Sequence, residues 1–183
     1  MLGRMRMSLP WLAVLATLLL SGCGYNELQR ADEQVNAAWS EVLNQYQRRA
    51  DLVPNLVETV KAFAAHEREL MESVAKARVG TMAAGAGWQA QEHLHQALGT
   101  LIARAEAYPQ LKSDRNFVML QRQLAECEAQ IAAARRAYNA SIMDYHNSIE
   151  MVPSSIVAGA FGFRHLPAFE IAVAERSNPH VRF

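Results

Sequence analysis

Net charge is missing from this chain, in which 18 lysines and arginines offset 18 aspartates and glutamates over 183 residues. A nucleic-acid binder needs a basic face, so no nucleic-acid partner is expected. Cysteine is scarce, with only Cys23 and Cys127. Once Cys23 is committed to the export signal described below, one thiol cannot close an internal disulfide, and redox stapling contributes nothing to the fold. Nowhere do apolar and polar residues alternate with period two between turn residues, so no strand is expected. Without strands there is no strand-loop-helix cradle for a phosphate. No apolar run reaches the roughly 20 residues that cross a bilayer as a helix. From Ser113 to Glu150 the chain also lacks proline and glycine altogether.

That last gap marks the organising element. Apolar residues at Phe117, Leu120, Leu124, Cys127, Ile131, Ala134 and Tyr138 alternate steps of three and four, and the stripe resumes at Ile142, Tyr145 and Ile149 after one extra step of four. A helix over 113–150 would be about 57 Å long. Each large apolar side chain left in water would cost ~1.5–3 kcal/mol, so other helices must cover the seam. Ser113 or Asp114 is a plausible N-cap. Alanine occupies seven of the sixteen positions 125–140, which favours helix and lets a neighbouring helix approach closely. Cys127 lies on the seam, where it serves as a small buried hydrophobe.

The covering segments precede it. Residues 26–50 repeat Leu28, Ala31, Val35, Ala38 or Trp39, Val42 and Tyr46 at helical spacing. Pro54 disfavours helical geometry at Val53 and suits the first turn of a new helix, so the spacing predicts a turn and reversal there. A second stripe follows with Leu56, Val60, Phe63, Leu70, Val74 and Ala77. Residues 80–87 carry three glycines and no charge, and read as a loop. A third helix runs from Trp88 to Tyr108, where Pro109 stops it. The fold class is therefore all-α, a long antiparallel up-down four-helix bundle over 23–152. The tail 153–183 mixes Ile156, Val157, Phe161, Phe163, Leu166 and Phe169 with glycine. It is expected to fold back over the bundle end, the sharper alternative being an interfacial or partner-binding segment. Its end, Glu175 to Phe183, is polar and expected to be mobile.

Residues 1–22 read as a secretory signal. Arg4 and Arg6 precede the apolar run Leu9 to Leu20, and Leu20-Ser21-Gly22-Cys23 resembles a lipobox, at which a bacterial signal peptidase leaves an acylated cysteine as residue one. The alternative is an uncleaved N-terminal anchor with an incidental cysteine. Either way the partner is membrane lipid, and several acyl chains, palmitate among them, hold far better than one. Loss of residues 1–22 removes two arginines and leaves a charge of −2. Gly24, rather than an aspartate, would then be position two, which by resemblance to lipoproteins of diderm bacteria favours an outer-membrane, periplasm-facing location.

The candidate chemical motifs fall short. His66-Glu67-Arg68-Glu69-Leu70 begins like a zinc-protease signature but has Leu70 where the second histidine belongs. His93 and His95 diverge by about 200° on a helix and cannot share a metal, and His146, His165 and His180 have no ligand partners in sequence. Asn139-Ala140-Ser141 matches a glycosylation triplet by chance. No catalytic residue, metal or cofactor is expected. Arg49 or Arg136 paired with Glu67 would form an internal polar layer that fixes register; the preferred reading is that these arginines lay their stems over the seam and keep their heads in water.

The segments Asp32 to Glu67, Ala107-Tyr108-Pro109 with Asn116-Phe117, Ala134-Arg135-Arg136-Ala137-Tyr138-Asn139, and Pro153 with Phe161-Gly162-Phe163 resemble the LemA family. The resemblance covers most of the chain beyond the signal. It implies a membrane-anchored bundle of long helices without established enzymatic activity, among relatives connected with envelope stress and membrane organisation, including one in magnetosome formation. The family's second tyrosine-asparagine pair is here Tyr145-His146, so the role of that asparagine is not carried over. The function expected is a non-enzymatic scaffold acting on unidentified envelope proteins; the rival is an accessory or regulatory subunit of an envelope protease or other enzyme.

Overall fold

The computed structural model of the chain describes residues 9–64, 66–83 and 87–169, with side chains from Gly24 onward. The first eight residues and the tail beyond Phe169 lie outside it, and with them the polar end 175–183. All regular structure among the described residues is helical: α1 (Leu9–Phe63), α2 (Arg68–Met82), α3 (Trp88–Ala105), α4 (Pro109–Lys112), α5 (Arg115–Glu150) and α6 (Ser154–Phe161). The chain divides into two compact units. One, central in sequence, is Glu41–Ala134; the other, here the terminal unit, joins Met1–Ser40 to Arg135–Phe183. Both long helices, α1 and α5, contribute to each.

The reversal expected at Pro54 does not occur. Pro54 lies inside α1, and the chain turns instead at residues 64–67, where the Ala64 amide still donates to Val60 and Glu67 donates back to Ala64. A proline within a helix deprives the carbonyl four residues earlier of its donor. Here that carbonyl belongs to Ala50, and the Arg78 Nε–H of α2 donates to it at 2.8 Å. The vacancy in the backbone ladder is filled by a side chain from the neighbouring helix, so the helix persists. At 55 residues α1 is longer than any other helix among the described residues. Its cover is composite, drawn from different helices in the two units.

In the central unit Val53, Leu56 and Val60 of α1 share a core with Val74 of α2, Leu94, Leu98 and Leu101 of α3, and Phe117, Leu120 and Leu124 of α5. Two boundaries differ from the sequence reading. Helix α2 continues through Gly80 to Met82, and α3 ends at Ala105, after which Pro109 opens α4 instead of closing α3. Asp114 caps α5, accepting the Phe117 amide at 2.9 Å.

In the terminal unit Leu28, Ala31 and Val35 of α1 meet Ile142, Tyr145 and Ile149 of α5, together with Val157 and Ala158 of α6. Ring contacts put Trp39 of α1 against Tyr138 of α5, and Tyr25 near the start of the described side chains of α1 against Phe161 at the end of α6. Gly162 ends α6 in the left-handed region (φ 79°), and the amides of Gly162 and Phe163 both donate to Ala158. From that cap the chain leaves as the non-helical segment 163–169 and lies along α5.

Candidate functional site

Three side chains of α5 hold the segment 166–169 by its backbone. Asn139 grips Phe169 twice: its Oδ1 accepts the Phe169 amide at 2.9 Å, and its Nδ2 donates to the Phe169 carbonyl at 3.2 Å. The adjacent Tyr138 hydroxyl donates to the Pro167 carbonyl at 3.2 Å. Seven residues along the helix the pattern repeats. The Leu166 amide donates to His146 Nε2 at 3.1 Å, and the Arg164 backbone lies near enough to the Tyr145 hydroxyl to favour its charged form. A spacing of seven returns to almost the same helix face, so two adjacent pairs, 138–139 and 145–146, meet successive stretches of one extended chain. For His146 to accept, the proton of its neutral ring must sit on Nδ1.

Aromatic packing fixes the ends of this segment. The Phe169 ring lies 5.6 Å from Trp39, 5.3 Å from Tyr138 and 5.3 Å from the Arg135 guanidinium carbon. The His165 ring stands edge-on to His146 at 4.4 Å, with its Nε2 3.4 Å from Glu150. Burial raises the pKa of both tyrosines; for Tyr145 the charge of Asp32 adds to the rise, and the Arg164 backbone offsets part of it. Both phenols therefore remain neutral hydrogen-bonding groups near neutral pH.

The central unit holds a different polar arrangement. Arg49 is only 2% exposed, and its guanidinium donates to Glu128 Oε1 at 2.8 Å, to the Gln91 carbonyl at 2.9 Å and to Gln91 Oε1 at 2.8 Å. His95 adds a contact to Glu128 at 3.3 Å. Burial alone would raise the Glu128 pKa, but hydrogen bonding and charge from Arg49, with His95 assisting, hold it below the ordinary carboxylate value. The preferred expectation for Arg49, a head left in water, is thus overturned, because Gln91 and Glu128 supply acceptors across the core. Arg49 does not meet Glu67. That carboxylate accepts Arg104 Nε and the Tyr108 hydroxyl, each at 3.0 Å, and ties the start of α2 to the end of α3.

A family model described as "LemA family" matches residues 38–183, which spans both arrangements. The chain belongs to the LemA family. Among its relatives, "Magnetosome protein MamQ 2" and "Magnetosome protein MamQ 1" of Paramagnetospirillum magneticum are each 27% identical over 86% of this chain and 68% of their own length. "Magnetosome protein MamQ" of Magnetospirillum gryphiswaldense is 26% identical over 88% of this chain and 69% of its own.

In this LemA protein His146 stands where the family resemblance gives an asparagine, and its ring nitrogen accepts a tail amide as Asn139 Oδ1 does. Of the other residues singled out from sequence, Cys23 carries a side chain outside the described residues. Cys127 is buried, donates to the Gln45 carbonyl at 3.4 Å and has its pKa raised by burial first and by Glu128 second, which suits an inert core thiol. His66 lies in the α1–α2 turn and His93 is exposed on α3; His180 lies outside the described residues. Among the described residues no group of three or more His, Cys, Asp or Glu could hold a metal. None of their helices is long and apolar enough to cross a membrane.

Proposed function

We propose that this LemA protein is a non-enzymatic helical scaffold of the bacterial cell envelope, attached to membrane lipid through acylated Cys23 or, failing cleavage, through its apolar N-terminal segment. The observation that carries the reading is the continuity of α1. It begins at Leu9 within the apolar run and ends at Phe63, contributing Leu28 and Val35 to one core and Leu56 and Val60 to the other. A single element therefore joins the lipid-directed end of the chain to both packed units. Within each unit the polar groups described above are committed to holding chain segments together.

The relatives named as magnetosome proteins support association with a membrane; a role in envelope organisation or stress is part of the proposal. Gly24 after the acylated cysteine favours the outer membrane and a periplasm-facing body. Labelling cells with an alkyne fatty acid tests the anchor: the wild-type chain takes up label and fractionates with membranes, whereas Cys23→Ala takes up none and stays with membranes only through its uncleaved apolar segment. A labelled Cys23→Ala chain would end the lipidation reading. In vivo crosslinking tests the scaffold, which is expected to capture discrete envelope proteins. A defect in substrate turnover traced to one polar substitution would replace it with the accessory-subunit reading.

A further inference from the structure

We propose that the outward face of α6, with the turn before it, is a second membrane contact that lies in the interfacial zone of the lipid bilayer beside the N-terminal attachment. The inference rests on the membrane-anchored reading above and extends it from a single tether to a surface. Residues 151–163 contain no charged side chain. Within them Val157 and Ala158 are buried against α1 and α5, while Met151, Val152, Ile156 and Phe161 are 64%, 79%, 72% and 65% exposed. Met151, Val152 and Ile156 leave apolar surface at the turn that opens α6, and Phe161, about 140° round the helix from Ile156, leaves more where it ends beside Tyr25.

The position of this patch identifies its occupant. A Cβ on Gly24 would lie 3.5 Å from Val157 Cγ2 and 3.8 Å from the Ser154 Cα, so α6 rests on the residue that directly follows Cys23. The next residue, Tyr25, packs on Phe161 at 4.9 Å and on Phe163 at 6.0 Å. Wherever lipid holds the chain at Cys23 or through the apolar run ahead of it, α6 is held within a few residues of the bilayer surface. Tyr25 combines an apolar ring with a polar hydroxyl, a pairing suited to the headgroup level. Arg164, exposed directly after Phe163, is placed to reach lipid phosphates. An eight-residue helix is far too short to span, so the contact is interfacial, with side chains about 5–10 Å into the headgroup and acyl boundary.

The test uses the full chain reconstituted in vesicles of phosphatidylethanolamine and phosphatidylglycerol, carrying an environment-sensitive fluorophore at Ile156→Cys or, separately, at Phe161→Cys. Lipids bearing a shallow nitroxide are expected to quench both labels and to shift their emission to the blue, whereas aqueous iodide reaches them poorly. Labels that keep the emission of a water-exposed probe and ignore the nitroxide overturn the proposal, even if the chain sediments with the vesicles; in that case the anchor stands and only the patch falls. A chain that does not sediment with vesicles at all overturns both. In a Cys23→Ala background, Ile156→Asp with Phe161→Asp is expected to lower residual vesicle binding by on the order of tenfold, while helicity is unchanged. A photocrosslinker at Ile156 in cells is expected to form lipid adducts, and a discrete protein adduct in their place would assign the patch to a protein partner and overturn the membrane contact.

Discussion

The central and terminal units solve the same packing problem with different chemistry. In the central unit the buried polar contacts tie one helix to another, with Arg49 reaching the side chain and carbonyl of Gln91 and the carboxylate of Glu128 from 42 and 79 residues away in sequence. In the terminal unit they run from side chain to main chain, and Tyr138, Asn139 and His146 recognise the backbone of residues 166–169. A buried guanidinium tolerates one set of partners and so fixes the register of the helices that carry them. Backbone recognition is indifferent to most of the residues it holds, as in strand-like peptide docking generally. The central unit is therefore built to be locked, and the tail segment of the terminal unit is built to be held.

The largest test of this contrast is Arg49→Met. It takes the shared donor from Gln91 and from Glu128, which keeps only its contact with His95; removing one partner of a fully buried pair costs about 3–5 kcal/mol, and the one-third exposure of Glu128 brings the expected loss to the low end of that range. Denaturant unfolding should show a loss of that size. A cost below about 1 kcal/mol would mean the network is a passenger of the core. Next in size is Asn139→Leu in the terminal unit, which takes both hydrogen bonds from Phe169 and should free the segment locally at about 1–3 kcal/mol. Hydrogen exchange would show lost protection at the Phe169 amide, with the denaturant midpoint followed at central-unit residues unchanged. If both units melt together, the separation drawn here is wrong.

The acid response sharpens the same point. Because Arg49 and His95 hold Glu128 below its ordinary pKa of 4.5, its stabilisation is complete above that value and fades as pH falls through the lower folded one. Wild type should lose more stability than Glu128→Gln on acidification below about pH 4.5, and the two should have parallel profiles above about pH 6. Parallel profiles throughout would show that the carboxylate is not held by the network.

Much of the fold was legible because it rests on local rules. The stripe from Phe117 to Ile149 on α5 is buried as its spacing requires, apart from the partly buried Tyr138, and Asp114 caps the helix within three residues of its start. Pro54 was misread because the rule for proline assumes an orphaned carbonyl, and the donor that satisfies Ala50 lies 28 residues along the chain. Nothing in the sequence near Pro54 announces Arg78. The turn at 64–67 likewise has neither proline nor glycine to mark it. Tyr138 belonged to the seam and Asn139 to a segment that resembles the family, yet the atoms they hold belong to the main chain of a segment without periodicity. The one available signal was the recurrence of a tyrosine followed by a polar partner seven residues later, at Tyr145-His146.

The proline reading can be put to a cycle. Arg78→Met should cost about 1–3 kcal/mol, since a buried carbonyl loses its partner. In a Pro54→Ala background a backbone amide returns at position 54 and can donate to Ala50, so the same substitution should cost clearly less. Equal costs in both backgrounds would show that Arg78 acts through packing alone.

The smallest expected effect belongs to His146→Asn. Asparagine restores the pair that the family resemblance gives at this position, and its Oδ1 offers the Leu166 amide the same kind of acceptor that Asn139 offers Phe169. The substitution gives up the ring contact with His165 at 4.4 Å, an exposed partner, so the net change in stability should stay within about 0.5 kcal/mol. His146→Phe keeps a ring of similar size and removes the acceptor, and should expose the Leu166 amide to exchange. If asparagine also loses that protection, the two pairs on α5 are not equivalent, and the segment is held at Asn139 while His146 merely lies alongside. If asparagine keeps it and phenylalanine does not, the hydrogen bond rather than the ring is what positions the tail, and a heptad-repeated grip on main chain is the working part of the terminal unit.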